Sequence, residues 1–222
     1  MSRREPHRLG VERAGSALRR ERRSFARHDD GAAAVEFGLL GGFVIMLLLA
    51  AMDFGFALFQ HNQASKAVQL GARLAAVTDP VSSDLATFDG TSAGAEPGAP
   101  MPYFERRCRG ATETCTNGTF DRGALQSIVY GRGNTACPAA AGNYPAMCRV
   151  FARIRPENLE VDYVHSGIGI AGVPGIRPTP TITVRVVDLN YRFMVLGSLL
   201  GLGDIPMAGL LATATGEDLA GR

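Results

Sequence analysis

The feature that most constrains this chain is an apolar run from residue 37 to residue 59, in which Asp53 is the only charged residue. A helix of about 23 residues, rising ~1.5 Å per residue, is long enough to cross the apolar core of a bilayer. A second apolar run, at 194–202, is too short to span a membrane and contains two glycines. The sequence therefore predicts one transmembrane helix.

The residues before this run are rich in arginine. Residues 1–30 contain nine Arg, no Lys and five acidic residues. Positive charge that flanks a membrane segment stays in the cytoplasm, so we expect the N-terminus inside the cell and everything after Phe59 outside. The whole chain has a formal net charge of only +2, so the part after the leader has no basic excess. A nucleic-acid partner is therefore not expected.

Composition divides the chain into four predicted parts: an Arg-rich leader (1–31), a long helix (32–78), a linker (79–103) and an outer domain (104–222). In the second half of the helix Ala64, Val68 and Ala75 recur at helical spacing, which predicts an amphipathic continuation beyond the membrane. Asp79 and Pro80 end the helix, because the residue before a proline avoids helical backbone angles. The following segment is rich in Ser, Gly, Ala and Pro, which is typical of a loop.

The outer domain shows the alternation of half-buried strands. Apolar and acidic residues alternate at 159–163, and a longer strand is predicted at 181–193. The apolar phase of the longer strand slips by one residue at Val187, which predicts a β-bulge near Val186. Two further elements are expected, a short helix running into a strand at 122–130 and a closing strand at about 209–215. The predicted fold class is α+β: a long N-terminal helix followed by a compact domain with an antiparallel sheet.

All four cysteines lie in the part predicted to be exported, at Cys108, Cys115, Cys137 and Cys148. An even count in an oxidising compartment favours two disulfides, for which three connectivities are open. We prefer the local pairs, Cys108 with Cys115 and Cys137 with Cys148, which close short loops. A zinc site is disfavoured, since the spacings C-x6-C and C-x10-C lack the tight knuckles of such sites.

Two features that suggest catalysis do not meet the requirements of a catalytic site. The glycines of 167–172 match G-x-G-x-x-G, but Val173 and Pro174 follow where a phosphate-binding helix has to begin. His165 and Ser166 are adjacent, and neighbours on a strand point to opposite faces. The sequence therefore predicts a protein that is not an enzyme, with no cofactor, metal or small-molecule substrate.

Four segments resemble one known family: Gly31 followed by AAAVEF, the Asp-Phe-Gly step at 53–55, AVQLGARLAAV at 67–77, and LLATATGEDL at 210–219. They are similar to TadE-like proteins, the minor pseudopilins of the tight-adherence subgroup of type IV pili. The resemblance covers the helix well and the outer domain loosely. It implies a pilin-like fold, a place in the bacterial inner membrane with the outer domain in the periplasm, and partnership with other pilins and pseudopilins.

The resemblance also implies processing. In this family a membrane-embedded prepilin peptidase cuts on the cytoplasmic side after the glycine, so the bond between Gly31 and Ala32 is expected to be cut. Ala32 then becomes the mature N-terminus and Glu36 the fifth mature residue. The chain departs from the family where Leu39, Leu40, Gly41 and Gly42 replace a common proline, and where Asp53 replaces a more usual glutamate.

A physical role for Glu36 follows from its position just inside the apolar run. An ionisable group there is costly and usually functional. We expect it to pair with the N-terminal amine of a neighbouring subunit, because opposite charges attract strongly in a low-dielectric setting. The alternative is an interfacial glutamate that extends to the lipid headgroups. Gly38 and Gly42 form a small-x-x-x-small step that allows close helix approach. Asp53, ~25 Å further along the helix, marks the outer membrane boundary.

The sequence is compatible with two other functions. One is a signal-anchored protein whose outer domain binds a ligand and whose helix is an uncleaved tether. Such a tether should tolerate Glu36→Ala, whereas a pseudopilin should not. The other is ordinary secretion with leader and helix both removed, which is disfavoured because the apolar run is too long for a signal peptide.

Overall fold

The computed structural model describes residues 30–139, 144–173, 178–191, 193–201 and 203–216. All but the last two residues of the predicted leader, and the end of the LLATATGEDL motif, lie outside the described residues. The chain divides into two compact units, residues 1–52 and residues 53–222. The described part of the first unit is helix, and the second unit is an α+β domain with a five-stranded antiparallel sheet.

The dominant element is a single helix, α1, which spans Asp30–Val77 and is 48 residues long. It confirms the predicted long helix and ends as expected, with Thr78 donating from its backbone nitrogen to the Leu74 carbonyl before Pro80. Its last turns pack into the outer domain through small residues, including Ala64, Ala67, Val68, Ala72 and Ala75, which are all buried. Small side chains let the helix approach the rest of the core closely.

The other helices are short. They are α2 at Arg122–Tyr130, α3 at Met147–Val150 and α4 at Leu196–Leu200. Asp121 caps α2 by accepting a hydrogen bond from the Ala124 backbone nitrogen. The prediction that this segment runs into a strand is wrong, because the helix continues to Tyr130 and the chain then turns at Gly131, where φ is 87°.

The strands of the main sheet are β1 at Glu105–Arg109, β2 at Thr114–Thr116, β3 at Leu159–His165, β4 at Pro180–Val186 and β7 at Leu211–Thr215. They are antiparallel in the order β2-β1-β3-β4-β7. Leu159 pairs with Val186 and Tyr163 with Ile182, so the predicted alternation places the apolar side chains of both strands in the core. These strands confirm the predicted antiparallel sheet, and β7 confirms the predicted closing strand.

The predicted bulge near Val186 is wrong. Strand β4 ends at Val186, and the chain turns through Asp188, whose φ is 54°. It then forms a second, two-stranded sheet from β5, Asn190–Tyr191, and β6, Ile205–Pro206. A one-residue shift in the pattern of apolar positions occurs both at a β-bulge and where the chain leaves one sheet for another. The pattern alone therefore does not distinguish these two arrangements.

The segment after α1 packs against the core. Val81, Leu85 and Met101 are buried, and the Val81 backbone nitrogen donates to the Tyr163 hydroxyl at 2.9 Å. Tyr163 itself is fully buried, and burial raises the pKa of its hydroxyl. The segment contains two short 3₁₀ turns, at Ser83–Ala86 and Thr91–Ala93.

The Asp84 carboxylate, which is hydrogen bonded and paired with an arginine, fixes the same segment to β1. The Asp84 carboxylate accepts hydrogen bonds from the Ser82 hydroxyl at 2.5 Å and from Arg106 Nε at 2.8 Å. Burial raises the pKa of Asp84, but these two hydrogen bonds and the charge of Arg106 outweigh burial, so the pKa lies below its usual value.

Both disulfides of the structure are local. Cys108 on β1 is joined to Cys115 on β2, its partner across the strand pair, and Cys137 is joined to Cys148 on α3. This is the connectivity that was preferred from the loop lengths.

Candidate functional site

The residues predicted to serve processing and assembly lie together at the beginning of α1. Gly31, Ala32 and Glu36 occupy its first two turns, and all three are exposed. Within the described part of the chain, no side chain or backbone group pairs with the Glu36 carboxylate. A carboxylate on an apolar helix to which no described group binds is available to a group from another molecule.

The helix that carries them is a candidate membrane anchor. Residues 31–77 are long and apolar enough to cross a membrane, and the most apolar window is not buried inside the protein. Most of the large side chains at 37–48, such as Phe37 and Leu48, are more than half exposed. In water this surface is unfavourable, because apolar area in contact with water raises the free energy of the chain.

The glycines predicted to support helix contact have open surroundings in the described structure. A Cβ added at Gly38 or Gly42 meets no atom within 4 Å. Gly71, by contrast, lies against α3, where an added Cβ is 2.5 Å from the Met147 sulfur. Gly71 therefore serves packing within the outer domain, whereas Gly38 and Gly42 leave room for a second helix.

Asp53 has a role that its sequence position did not reveal. Its side chain is buried, with 3% of the residue exposed. The carboxylate oxygen Oδ2 accepts hydrogen bonds from the backbone nitrogens of Val195 at 2.9 Å and Leu196 at 2.8 Å. Val195 is the residue before α4 and Leu196 is its first residue, and the amides at the start of a helix have no acceptor within it. Asp53 therefore caps a helix about 140 residues away.

Aromatic side chains surround this cap. The Tyr191 hydroxyl donates to the Asp53 backbone carbonyl at 2.9 Å. Phe193 contacts the rings of both Tyr191 and Phe54 edge to face, with centroids 4.9 Å and 6.2 Å apart. We name the contacts of Asp53 with residues 191–196 the Asp53 clasp. The clasp was signalled in the sequence only by a carboxylate within an apolar run and by an apolar segment too short to span a membrane.

No helix begins within residues 167–173, the described part of the glycine-rich loop. Gly167, Gly169 and Gly172 have positive φ, and residues 171 and 172 form a turn. The loop pairs with the segment before β1: the Gly169 carbonyl accepts from the Met101 backbone nitrogen at 3.0 Å. Among the described residues no group of three or more His, Cys, Asp or Glu side chains is placed to hold a metal ion.

One family model matches part of α1. Residues 31–73 match the family model described as TadE-like protein. The match begins at Gly31 and confirms the resemblance over residues 31–73; it does not extend to the segment at 210–219. Comparisons with curated proteins and with solved structures find no match. The TadE-like family is a component of pilus assembly, and with the candidate membrane helix the match supports a membrane protein associated with tight-adherence pili.

Proposed function

We propose that this chain is a TadE-like minor pseudopilin, which a prepilin peptidase cuts between Gly31 and Ala32 and which then supports assembly of a tight-adherence pilus. The observation that carries the proposal is that the TadE-like match begins at Gly31, at the start of an exposed apolar helix. The mature protein is a single-pass protein of the bacterial inner membrane, with its outer domain in the periplasm. Its partners are the peptidase and the other pilins and pseudopilins of the system.

The cleavage junction suits proteolysis at the membrane surface. Gly31 has no Cβ, so a peptidase is able to approach its backbone closely. The arginines of the leader hold the junction on the cytoplasmic side, where prepilin peptidases of this family cut. The chemistry belongs to the peptidase, and this chain is its substrate.

Cleavage creates the charge that Glu36 is placed to bind. The new α-amine of Ala32 lies one helical turn before Glu36 on α1, at the edge of the apolar span. In a neighbouring subunit that is displaced along the helix axis, the amine reaches the exposed Glu36 carboxylate. The pair compensates two charges that are costly in lipid, and it sets the axial register of helices whose apolar faces do not define one.

The two open glycines bring the helices together. Gly38 and Gly42 lie one turn apart on α1, and their lack of side chains allows a second helix to approach the backbone. Glu36 would set the axial register of neighbouring helices, and the two glycines would let those helices approach closely. All three residues lie on the same stretch of α1.

The first experiment is to determine the N-terminus of the membrane-extracted protein, by intact mass and N-terminal peptide analysis, in cells with and without the prepilin peptidase. We expect a peptidase-dependent start at Ala32. We also expect Gly31→Leu to keep its leader, whereas Gly41→Leu, the matched glycine substitution inside the helix, is processed normally. An intact leader in both strains contradicts the proposal and leaves an uncleaved tether for the outer domain.

The second experiment separates processing from assembly. Glu36→Gln removes the charge and keeps the shape, so it should be processed at Gly31 and fail to support pili. Glu96→Gln is the matched control, because Glu96 is an exposed carboxylate in the segment between α1 and β1. Normal piliation of the Glu36→Gln strain refutes the pairing of amine and carboxylate.

A further inference from the structure

The outer domain exposes several large apolar side chains around the start of its helical segment. Phe54, Leu58 and Phe59 on α1 are 60%, 65% and 57% exposed. Met194 and Ile205, from the distant segment that contains α4 and β6, are 66% and 51% exposed. We name these five side chains the apolar collar. Phe54 and Leu58 line one apolar cleft together with Ile205, so the two parts of the chain meet there in one exposed apolar surface.

The Asp53 clasp holds the two parts of the collar together. Met194 directly precedes the two amides that the Asp53 carboxylate caps, and Phe193 packs on Phe54. The segment is thus tied to α1 by hydrogen bonds and ring contacts within the outer domain. The collar is a fixed surface of the fold and not the free end of a loop.

Because the clasp buries the Asp53 carboxylate, the exposed apolar surface of α1 does not end at residue 53. Asp53 is the only charge between residues 37 and 59, and its carboxylate is turned away from the surface and hydrogen bonded. The apolar surface of the helix therefore continues from Phe54 to Phe59. The first polar residues after it are Gln60 and His61, and Gln60 accepts a hydrogen bond from Arg153 at 3.2 Å.

An apolar cleft opens within the same region. It has a volume of about 280 Å³ and lies between α1 and the β5–β6 sheet. Its lining residues are apolar apart from His61 and Tyr191, and they include the collar residues Phe54, Leu58 and Ile205. A cleft of this kind suits a hydrocarbon chain and offers little to a polar ligand.

We propose that the apolar collar lies in the outer interface of the bilayer that α1 crosses, with lipid acyl chains against it and in the cleft. The inference rests on the membrane anchoring of the proposed function, and not on its peptidase processing. The lipid is favoured over a second protein because the collar residues Phe54, Leu58 and Phe59 follow the apolar span directly along α1, with no charged side chain exposed between them. Asp204, next to Ile205, is exposed and limits insertion to the depth of the headgroups.

The test uses the full chain in nanodiscs of phosphatidylcholine and phosphatidylglycerol, labelled at one added cysteine with a fluorophore. Three positions are compared: Met194→Cys in the collar, Leu47→Cys in the apolar span, and Thr213→Cys on the exposed side of β7. Each label is exposed to a lipid that carries a nitroxide near the headgroup end of its acyl chain, and separately to a water-soluble quencher. Disulfide mapping confirms that the native pairs persist in each variant.

We expect the lipid nitroxide to quench the Met194 label several-fold more than the Thr213 label, and the aqueous quencher to show the reverse order. Equal quenching of the two labels from water overturns the proposal, as does protection of the Met194 label from both quenchers, which indicates a protein partner. The Leu47 label distinguishes failure of membrane anchoring from failure of the collar proposal. If it is also accessible from water, the membrane anchoring has failed; if it is lipid-quenched while Met194 is not, only the collar has failed.

Discussion

Removing the Asp53 carboxylate should open the C-terminal segment of the outer domain while leaving α1 intact. In Asp53→Ala the backbone amides of Val195 and Leu196 lose the oxygen that accepts from both, at 2.9 Å and 2.8 Å. Leu196 is buried and Val195 is half-buried, so water replaces the acceptor poorly. An amide left without an acceptor in such a place costs about 1–3 kcal/mol.

The combined cost for the two amides is about 2–3 kcal/mol, if the half-buried Val195 recovers part of its hydration. That free energy corresponds to a ~30- to ~150-fold increase in the opening constant of residues 193–201. Asp53→Asn keeps one acceptor oxygen and loses the charge, so its effect should fall between that of the wild type and that of Asp53→Ala.

Hydrogen exchange of the detergent-solubilised full chain measures this opening directly. Peptides that cover 193–201 should exchange faster in Asp53→Ala by the stated factor, while peptides of β3 and β4 keep their protection. Asn62→Ala is the matched control, because Asn62 is an exposed residue of the same helix. Unchanged exchange of 193–201 in Asp53→Ala refutes the capping role and the conclusion that Asp53 holds the collar in place.

Three further changes test the fold of the outer domain. Tyr163→Phe removes the acceptor of the buried Val81 amide, and denaturant unfolding should show a loss of about 1–3 kcal/mol. Asp84 has a pKa below its usual 3.8, so its charge stabilises the folded state above that pH, and the stabilisation is lost on acidification. Thermal unfolding of Asp84→Asn should therefore depend less on pH between 5 and 3 than that of the wild type, and an equal dependence refutes the assignment. Gly110→Ala places a Cβ onto the Pro156 carbonyl oxygen and should lower the unfolding free energy by at least ~1–3 kcal/mol, detected as a lower Tm.

Much of the fold was predictable because its signals are local. The apolar run and the small residues at helical spacing predicted α1, and Pro80 predicted its end. Alternation predicted β3 and β4, since side chains on a strand point alternately to the two faces of the sheet. The disulfide connectivity was preferred on the same ground, because both bridges close short loops.

The errors lie where two different arrangements share one local pattern. The slip at Val187 was interpreted as a bulge within one strand, whereas the chain leaves the sheet there and pairs β5 with β6. Residues 122–130 contain no feature that separates a helix followed by a strand from a helix alone. The choice was made by packing, because Leu125, Ile128 and Val129 are all buried on one side of α2.

The sequence by itself determined a helix long and apolar enough to cross a membrane, with Glu36 and Asp53 as its two carboxylates past Gly31. These properties depend on residues that are neighbours in the chain. Only the tertiary structure distinguished the two carboxylates: Glu36 is exposed, whereas Asp53 is buried beneath α4. That difference arises from hydrogen bonds between residues more than 140 positions apart, whose pairing depends on the folding of the sheet between them and on no local pattern.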